Sequence, residues 1–275
     1  MRIQCLVLTV LLTLVSSIAF AGDAKNGEEI GLDQKLQRLY ELYRVGDTVS
    51  LKPHEFRLGI GLSYSGDSSE QLGVRLSSQT LATQVSLAYG ITPWLEAAVS
   101  VPFQMGEQHL ESTDKKLLDR RIVGVGGIGL RLISTIPTKT FETTAIFGVN
   151  FPTGDDRLGG NITQTTVGLN VAKILQPAFI FGGLSWERDW KNNTNGIGYN
   201  AGIGFYLNHY LSAGLEFSGV RILNPPKGGV YDTLSATVRL SYQATPSFGI
   251  TPYLSHGLTP NAPDFVVGTS LQWRF

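Results

Sequence analysis

The stretch Asp264-Phe265-Val266-Val267-Gly268-Thr269-Ser270-Leu271-Gln272-Trp273-Arg274-Phe275 closes the chain and decides the fold. Successive side chains of a β-strand point to opposite faces, so Phe265, Val267, Thr269, Leu271, Trp273 and Phe275 share one face. Asp264, Val266, Gly268, Ser270, Gln272 and Arg274 share the other. One face is compatible with lipid and the other is small or polar. A soluble sandwich strand can alternate in this way, but it rarely ends on Trp-Arg-Phe, with aromatic rings where a bilayer interface favours amphipathic groups.

The same period of two runs back through the chain. Phe56, Leu58, Ile60, Leu62 and Tyr64 alternate with Glu55, Arg57, Gly59, Gly61 and Ser63, and Leu81 to Tyr89 repeats the pattern. Further segments fall at 94–103, 122–134, 141–151, 165–174, 178–187, 197–207, 211–220, 231–242 and 248–256. With the terminal strand this makes about twelve, each close to the roughly 9–11 residues a tilted transmembrane strand requires. The connections alternate in kind. Short turns, mostly set by proline, sit at 91–93, 136–139, 176–177, 208–209 and 244–247. Longer polar loops are expected at 66–79, 105–121, 152–161, 190–196, 221–229 and 257–263. That parity gives an even strand count with both termini on the periplasmic, short-turn side. The pattern predicts an all-β fold, a transmembrane antiparallel β-barrel of about 12 strands with a short N-terminal amphipathic helix.

The chain is long enough for one large domain, and its 32 glycines recur inside the alternating segments rather than clustering in a linker. Residues 1–21 read as a signal peptide: Met1-Arg2, a short apolar run and a small-x-small site at Ala19-Phe20-Ala21, with cleavage expected after Ala21. Residues 22–52 form an N-terminal segment carrying the helix, and 53–275 form the barrel. Cys5, the one cysteine, falls in the signal, so no disulfide or thiolate chemistry is expected. The 22 basic and 22 acidic residues balance, and no basic patch with interleaved aromatics exists, which argues against a nucleic-acid partner.

Over 32–45 the period becomes helical. Leu32, Leu36, Leu39, Tyr40 and Tyr43 share a face that needs cover, and each exposed Leu forgoes about 1.5–3 kcal/mol of burial. A barrel interior read as Ser, Gly, Glu and Arg is a poor partner for it. The expectation is therefore a helix at the periplasmic rim, or against a second subunit or a periplasmic protein, in preference to a luminal plug.

Several short motifs carry a family resemblance: Ile91-Thr92-Pro93-Trp94-Leu95-Glu96, Val99-Ser100-Val101-Pro102-Phe103, Val123-Gly124-Val125-Gly126-Gly127-Ile128-Gly129-Leu130-Arg131 and Phe151-Pro152-Thr153-Gly154-Asp155. Together they resemble the outer-membrane transporter family labelled with the meta pathway of phenol degradation. The helix-then-strands layout is more distantly similar to functional-amyloid secretion barrels, whose longer N-terminal coiled coil this chain lacks. The terminal strand resembles that of bacterial outer-membrane barrels, in which a final aromatic residue is read by the insertion machinery, so Trp273 and Phe275 are the expected insertion signal. The resemblance implies an outer-membrane channel or transporter for small molecules, hydrophobic or aromatic ones included, with lipid and the barrel-insertion machinery as partners. The alternative is a non-conducting scaffold or secretion component that works through a bound partner.

On the inward face the alternation places Glu55, Arg57, Glu96, Arg131, Glu142, Glu187, Glu216, Arg239 and Arg274, which either pair as a structural network or line a wet pore. His54, His109, His209 and His256 are scattered without metal-ligand spacing, and no cofactor or metal is expected. Ser255-His256 are adjacent on one strand and point to opposite faces, so they cannot pair, and no enzyme activity is expected. Asp155 and Asp156 lack the full spacing of a calcium loop.

Overall fold

The computed structural model describes Tyr43 and residues 51–71, 74–112, 115–137, 141–155, 162–175, 177–225 and 231–275. They form strands β1 (Phe56–Gln71), β2 (Val74–Thr92), β3 (Leu95–Ser112), β4 (Lys115–Val125), β5 (Gly129–Pro137), β6 (Glu142–Asn150), β7 (Gln164–Leu175), β8 (Ala178–Asp189), β9 (Thr194–Tyr206), β10 (Leu211–Ile222), β11 (Tyr231–Thr245), β12 (Phe248–Gly257) and β13 (Phe265–Arg274). Each is antiparallel to its neighbours, and chain order is preserved around the sheet. The terminal strand closes it: β13 pairs with β1 from Arg57 opposite Arg274 to Gly66 opposite Phe265. Phe275 and Phe56 extend that ladder by exchanging both backbone hydrogen bonds.

The thirteen segments fill twelve wall positions, because β4 and β5 share one. β5 pairs with the first half of β3, Leu95 to Ser100, and β4 with the second half, Phe103 to Ser112. The stretch expected as a single strand over 122–134 is thus interrupted at Gly126-Gly127-Ile128. Backbone groups freed by the interruption find partners in the segment after β6. Asp155 N–H donates to the Val125 carbonyl at 2.8 Å, Phe151 N–H to the Ile128 carbonyl at 2.8 Å, and Ile128 N–H to Thr153 Oγ1 at 2.9 Å. Two of the glycine-bearing motifs of the sequence therefore form one interlocked unit. A buried backbone polar group without a partner costs as much as a lost hydrogen bond, so the break persists only with this patch.

Two of the expected loops are strand instead. Over 66–79, β1 and β2 stay paired until Gln71 faces Val74, and over 105–121, β3 and β4 stay paired until Ser112 faces Lys115. Polar composition hid this, because the ladder needs only backbone groups while the apolar alternation marks only strand that has an apolar surface to cover.

The alternation sorts the side chains as expected. Along β5, Leu130 and Leu132 point outward and are 48% and 45% exposed, while Ile133 points inward and is 0% exposed. The outer surface carries Val85, Leu87, Leu169, Ile180, Leu184, Leu215, Val238 and Leu254 around its waist. Exposed aromatics gather toward the two ends: Phe56, Trp94, Tyr210 and Phe275 at the end holding the C-terminus, Phe103, Trp186, Trp190 and Tyr231 at the other. The signal peptide expected over 1–21 and nearly all of the helix expected over 32–45 lie outside the described residues. Tyr43 is the exception.

A side chain at Gly154 would overlap the backbone of Val125 and Gly126, where the patch crosses the break. Gly154→Ala is expected to destabilise the barrel by about 1–3 kcal/mol, the usual penalty for overpacking. The check is a lower temperature for the folded-to-unfolded shift in gel migration, with Gly61→Ala as the control, since a Cβ there makes only ordinary contacts.

Candidate functional site in the barrel interior

The interior begins with what the inward positions of neighbouring strands bring together. On β1 and β3, Arg57 and Glu96 form a buried ion pair that reaches across β2. Arg57 stands opposite Ala88, which stands opposite Ala98, and these small residues leave the two long side chains room to meet. On β10 and β11, Glu216 and Arg239 are diagonal neighbours, since Glu216 faces Thr237, and their charged atoms are 3.1 Å apart. Around these pairs lie hydroxyl contacts: Thr135 with Thr144 at 2.9 Å, Thr237 with Ser255 at 2.9 Å, and Thr251 with Ser241 at 3.2 Å.

Near the end holding the C-terminus the wall is apolar. Phe179 and Phe181 project inward from β8 and Tyr206 from β9, with Ala172 and Ile174 of β7 beside them. The Tyr43 side chain is 0% exposed among them. Its ring centroid is 5.1 Å from Phe179 edge-on and 5.8 Å from Phe181, and the Arg239 guanidinium lies 5.9 Å from it and 5.8 Å from Tyr253. The expectation of a rim position does not hold for this residue of the expected helix, because the interior is not a uniformly polar wall. Phe179 and Phe181 have the same strand parity as Glu187, so placing Glu187 inward already placed them there. Alternation alone therefore carries these two rings to the inward face.

Among the described residues, three cavities lie in the interior. One of about 490 Å³ lies toward the end away from the C-terminus, with Gln104, Asn150, Gln164, Glu187 and Asp189 on its walls. One of about 260 Å³ is lined by Asn170, Ser185, Asn200 and Ser218. One of about 220 Å³ lies beside Tyr43 and is bordered by Arg57, Arg239, Tyr253 and Gln272. Ser100 and Arg131 border all three, so these two positions mark where the cavities meet.

The other positions expected to face inward are spread along the barrel. Glu187 accepts from Gln164 Nε2 at 3.1 Å. Glu55 precedes β1 and its carboxylate accepts from the Lys52 N–H at 3.0 Å. Glu142 starts β6 opposite Pro137 and Ala172, and Arg274 ends β13 opposite Arg57. Trp273 stacks on Phe248 with centroids 4.8 Å apart, and Phe275 is exposed beyond it. Ser255 bonds to Thr237 inside the barrel, while the His256 ring bonds outside to the Asp264 carbonyl at 2.7 Å, so the two separate as their adjacency demands. Asp156 lies outside the described residues. Among the described residues no three His, Cys, Asp or Glu side chains gather as a metal would require.

Removing one member of a buried ion pair leaves the other charge uncompensated, at a cost of about 3–5 kcal/mol, whereas replacing both by apolar groups is often neutral. Glu96→Leu alone is expected to destabilise the barrel by that amount, and Arg57→Met with Glu96→Leu to recover most of it. Urea unfolding followed by tryptophan fluorescence measures both, and an additive double variant would mean the pair does not act as a unit.

No family model matches the chain. The fold is shared with solved structures of low sequence identity. An outer membrane channel from Pseudomonas putida F1 aligns with a TM-score of 0.64 at 16% identity, over 84% of this chain and 98% of that one. The translocator domain of the autotransporter NalP from Neisseria meningitidis aligns with a TM-score of 0.53 at 13% identity, over 88% and 95% of the two chains. The KdgM porin, solved in complex with disordered oligogalacturonate, aligns with a TM-score of 0.52 at 9% identity, over 80% and 99%. At these identities the likeness establishes a closed antiparallel barrel of the kind found in outer membranes.

Proposed function

We propose that this protein is an outer-membrane channel that passes small molecules, hydrophobic or aromatic ones in particular, through the barrel interior. The observation that carries the reading is the set of three cavities meeting at Ser100 and Arg131 inside a wall whose outer waist is apolar. An apolar waist between two belts of aromatic residues is what a bilayer selects, and a polar interior with hydrated cavities is what a permeating solute needs. The likeness to an outer membrane channel and to a porin supports the same reading.

In this reading the short turns, the start of β1 and the end of β13 face the periplasm, and the β1–β2 and β3–β4 hairpins face outward. Tyr43 narrows the path near the periplasmic end. Trp273 and Phe275 supply the terminal aromatic signal for insertion, and residues 1–21 the export signal. A non-conducting scaffold that acts through a bound partner is the competing reading, and the two part on conductance.

The truncated chain beginning at Ser50, set against the chain beginning at Gly22 in planar bilayers, is expected to show a clearly larger single-channel conductance. An absence of conductance in both would favour the scaffold. Orientation has its own check: a cysteine replacing Ser112 is expected to react with an impermeant reagent on intact cells and one replacing Thr245 is not, and equal labelling would overturn the topology.

A further inference from the structure

We infer that the outer surface around Arg188 is a binding site for a phosphorylated glycolipid of the outer leaflet. The guanidinium takes a phosphate, the asparagines of the β8–β9 turn lie beside the sugar, and the apolar strip below them runs along an acyl chain. Glu187 lines the interior, so Arg188 next to it on β8 points outward, between the exposed rings of Trp186 and Trp190. Its position is fixed by several contacts. Nη1 donates to Asn195 Oδ1 at 3.0 Å and Nη2 to Asn193 Oδ1 at 2.6 Å, and the group lies 4.9 Å from the Trp190 ring centroid. Trp190 is held in turn, since its Nε1 donates to Thr165 Oγ1 at 2.9 Å. Asn193 has a φ of 54°, which asparagine tolerates, and its carbonyl accepts from Asn224 Nδ2 at 2.6 Å. Asn224 Oδ1 accepts the Asn195 N–H at 2.6 Å, so the turn is tied to the residues that follow β10.

The guanidinium is held in place, but its charge is not compensated. Among the described residues no carboxylate pairs with it, and its Nε–H has no acceptor. The acids beside it in sequence are engaged elsewhere. Glu187 accepts from Gln164 inside the barrel, and Asp189 accepts from the Lys191 and Asn192 N–H groups and from Asn192 Nδ2. Two other outward arginines have acidic neighbours: Arg121 lies 3.7 Å from Glu107, and Arg221 stands opposite Asp232. A guanidinium without a counter-ion at the edge of an apolar layer favours an anion with several acceptor oxygens, and its planar fork matches a phosphate. Its surroundings select among phosphates. Lys191, Asn192, Asn193 and Asn224 are exposed above it, a rim of donors and acceptors suited to the hydroxyl groups of a sugar. Below it Leu184, Trp186 and Ile197 are exposed outward, with Trp186 directly opposite Ile197 on β9. Sugar, phosphate and hydrocarbon together make up lipid A, the glycolipid of the outer leaflet of bacterial outer membranes. A glycerophospholipid brings the phosphate and the chains but no sugar for the amide rim.

The inference rests on the orientation that turns the β8–β9 connection toward the outer leaflet, but binding in detergent is measured independently of it. Native mass spectrometry of the full mature chain, titrated with diphosphoryl lipid A, is expected to show binding at least about tenfold tighter than for dephosphorylated lipid A or phosphatidylglycerol, the usual worth of hydrogen bonds to a charged group. Arg188→Gln is expected to weaken diphosphoryl lipid A about tenfold and to leave the dephosphorylated form unchanged. Arg121→Gln, which removes an outward charge with an acidic partner, is expected to leave both unchanged. Inorganic phosphate in large excess is not expected to displace the lipid, because sugar and acyl contacts add to those of the phosphate. Equal binding of the phosphorylated and dephosphorylated forms, equal binding of lipid A and phosphatidylglycerol, an equal loss with Arg121→Gln, or displacement by free phosphate would each overturn the glycolipid site. Should Arg188→Gln disturb the turn, the comparison of lipids on the unaltered protein still decides. Selective lipid A binding with cysteine labelling reversed between Ser112 and Thr245 would retain the site and remove the orientation, and the expected labelling without selective binding would do the reverse.

Discussion

The pairing of β1 with β13 turns a sheet into a cylinder, and every wall position then has a hydrogen-bonding neighbour on both sides. An open edge would present a row of unpaired N–H and C=O groups, which water can satisfy and hydrocarbon cannot. Other features of the wall follow from keeping that ladder complete. Where it fails, at Gly126-Gly127-Ile128, the segment from Phe151 to Asp155 takes over the lost bonds, and the absence of a side chain at Gly154 lets the two backbones approach closely enough to do so. Glycine is needed there for proximity, since a side chain would stand between donor and acceptor.

Closure also creates an interior that has to be filled or wetted. Twelve wall positions lie between small barrels packed solid by their own side chains and larger ones that hold an open channel. This interior uses both solutions in different places. Toward the β1–β2 and β3–β4 hairpins it holds amides, carboxylates and the cavity of about 490 Å³. Toward the end with the C-terminus it holds two ion pairs and a cluster of rings. The pair with Glu216 keeps the Arg239 guanidinium beside the Tyr43 and Tyr253 rings without leaving net charge buried, which an isolated arginine would do at considerable cost.

Much of this was legible in the sequence. Period-two alternation fixed the strands and their faces, since one face of each meets an apolar surface, and the strict alternation of 264–275 carried over unchanged into β13. The break at 126–128 was not legible, because glycine inside a strand equally marks a bend, a bulge or a close approach, and only the position of Phe151 to Asp155 in space selects among these. The long hairpins were missed because strand outside an apolar layer loses the alternation that announces it. Arg57 and Glu96 were assigned to the same face, but their pairing depends on the β1–β2–β3 register and on Ala88 between them, which no single strand reports. Tyr43 was sent to the rim by a count of polar inward residues that overlooked Phe179 and Phe181, although their parity with Glu187 was in plain view.

The identity of the residue that narrows the interior matters as much as its position. An obstruction built from wall side chains, such as Phe179 or Ile133, is held by two ladders and can move only by changing rotamer. Tyr43 lies ahead of β1 in the chain and outside the inter-strand ladders, packed by its ring against Phe179 and Phe181. Burying an aromatic ring contributes about 1.5–3 kcal/mol, enough to favour the occupied recess yet small beside the cost of disturbing paired strands. The wall thus supplies a shape fixed by its ladders, and Tyr43 fills part of it from outside them. Glycines at 202, 204 and 214 leave the room that the rings of Phe181, Phe179 and Tyr43 take up, so the shape of this part of the interior is set by the wall's own sequence.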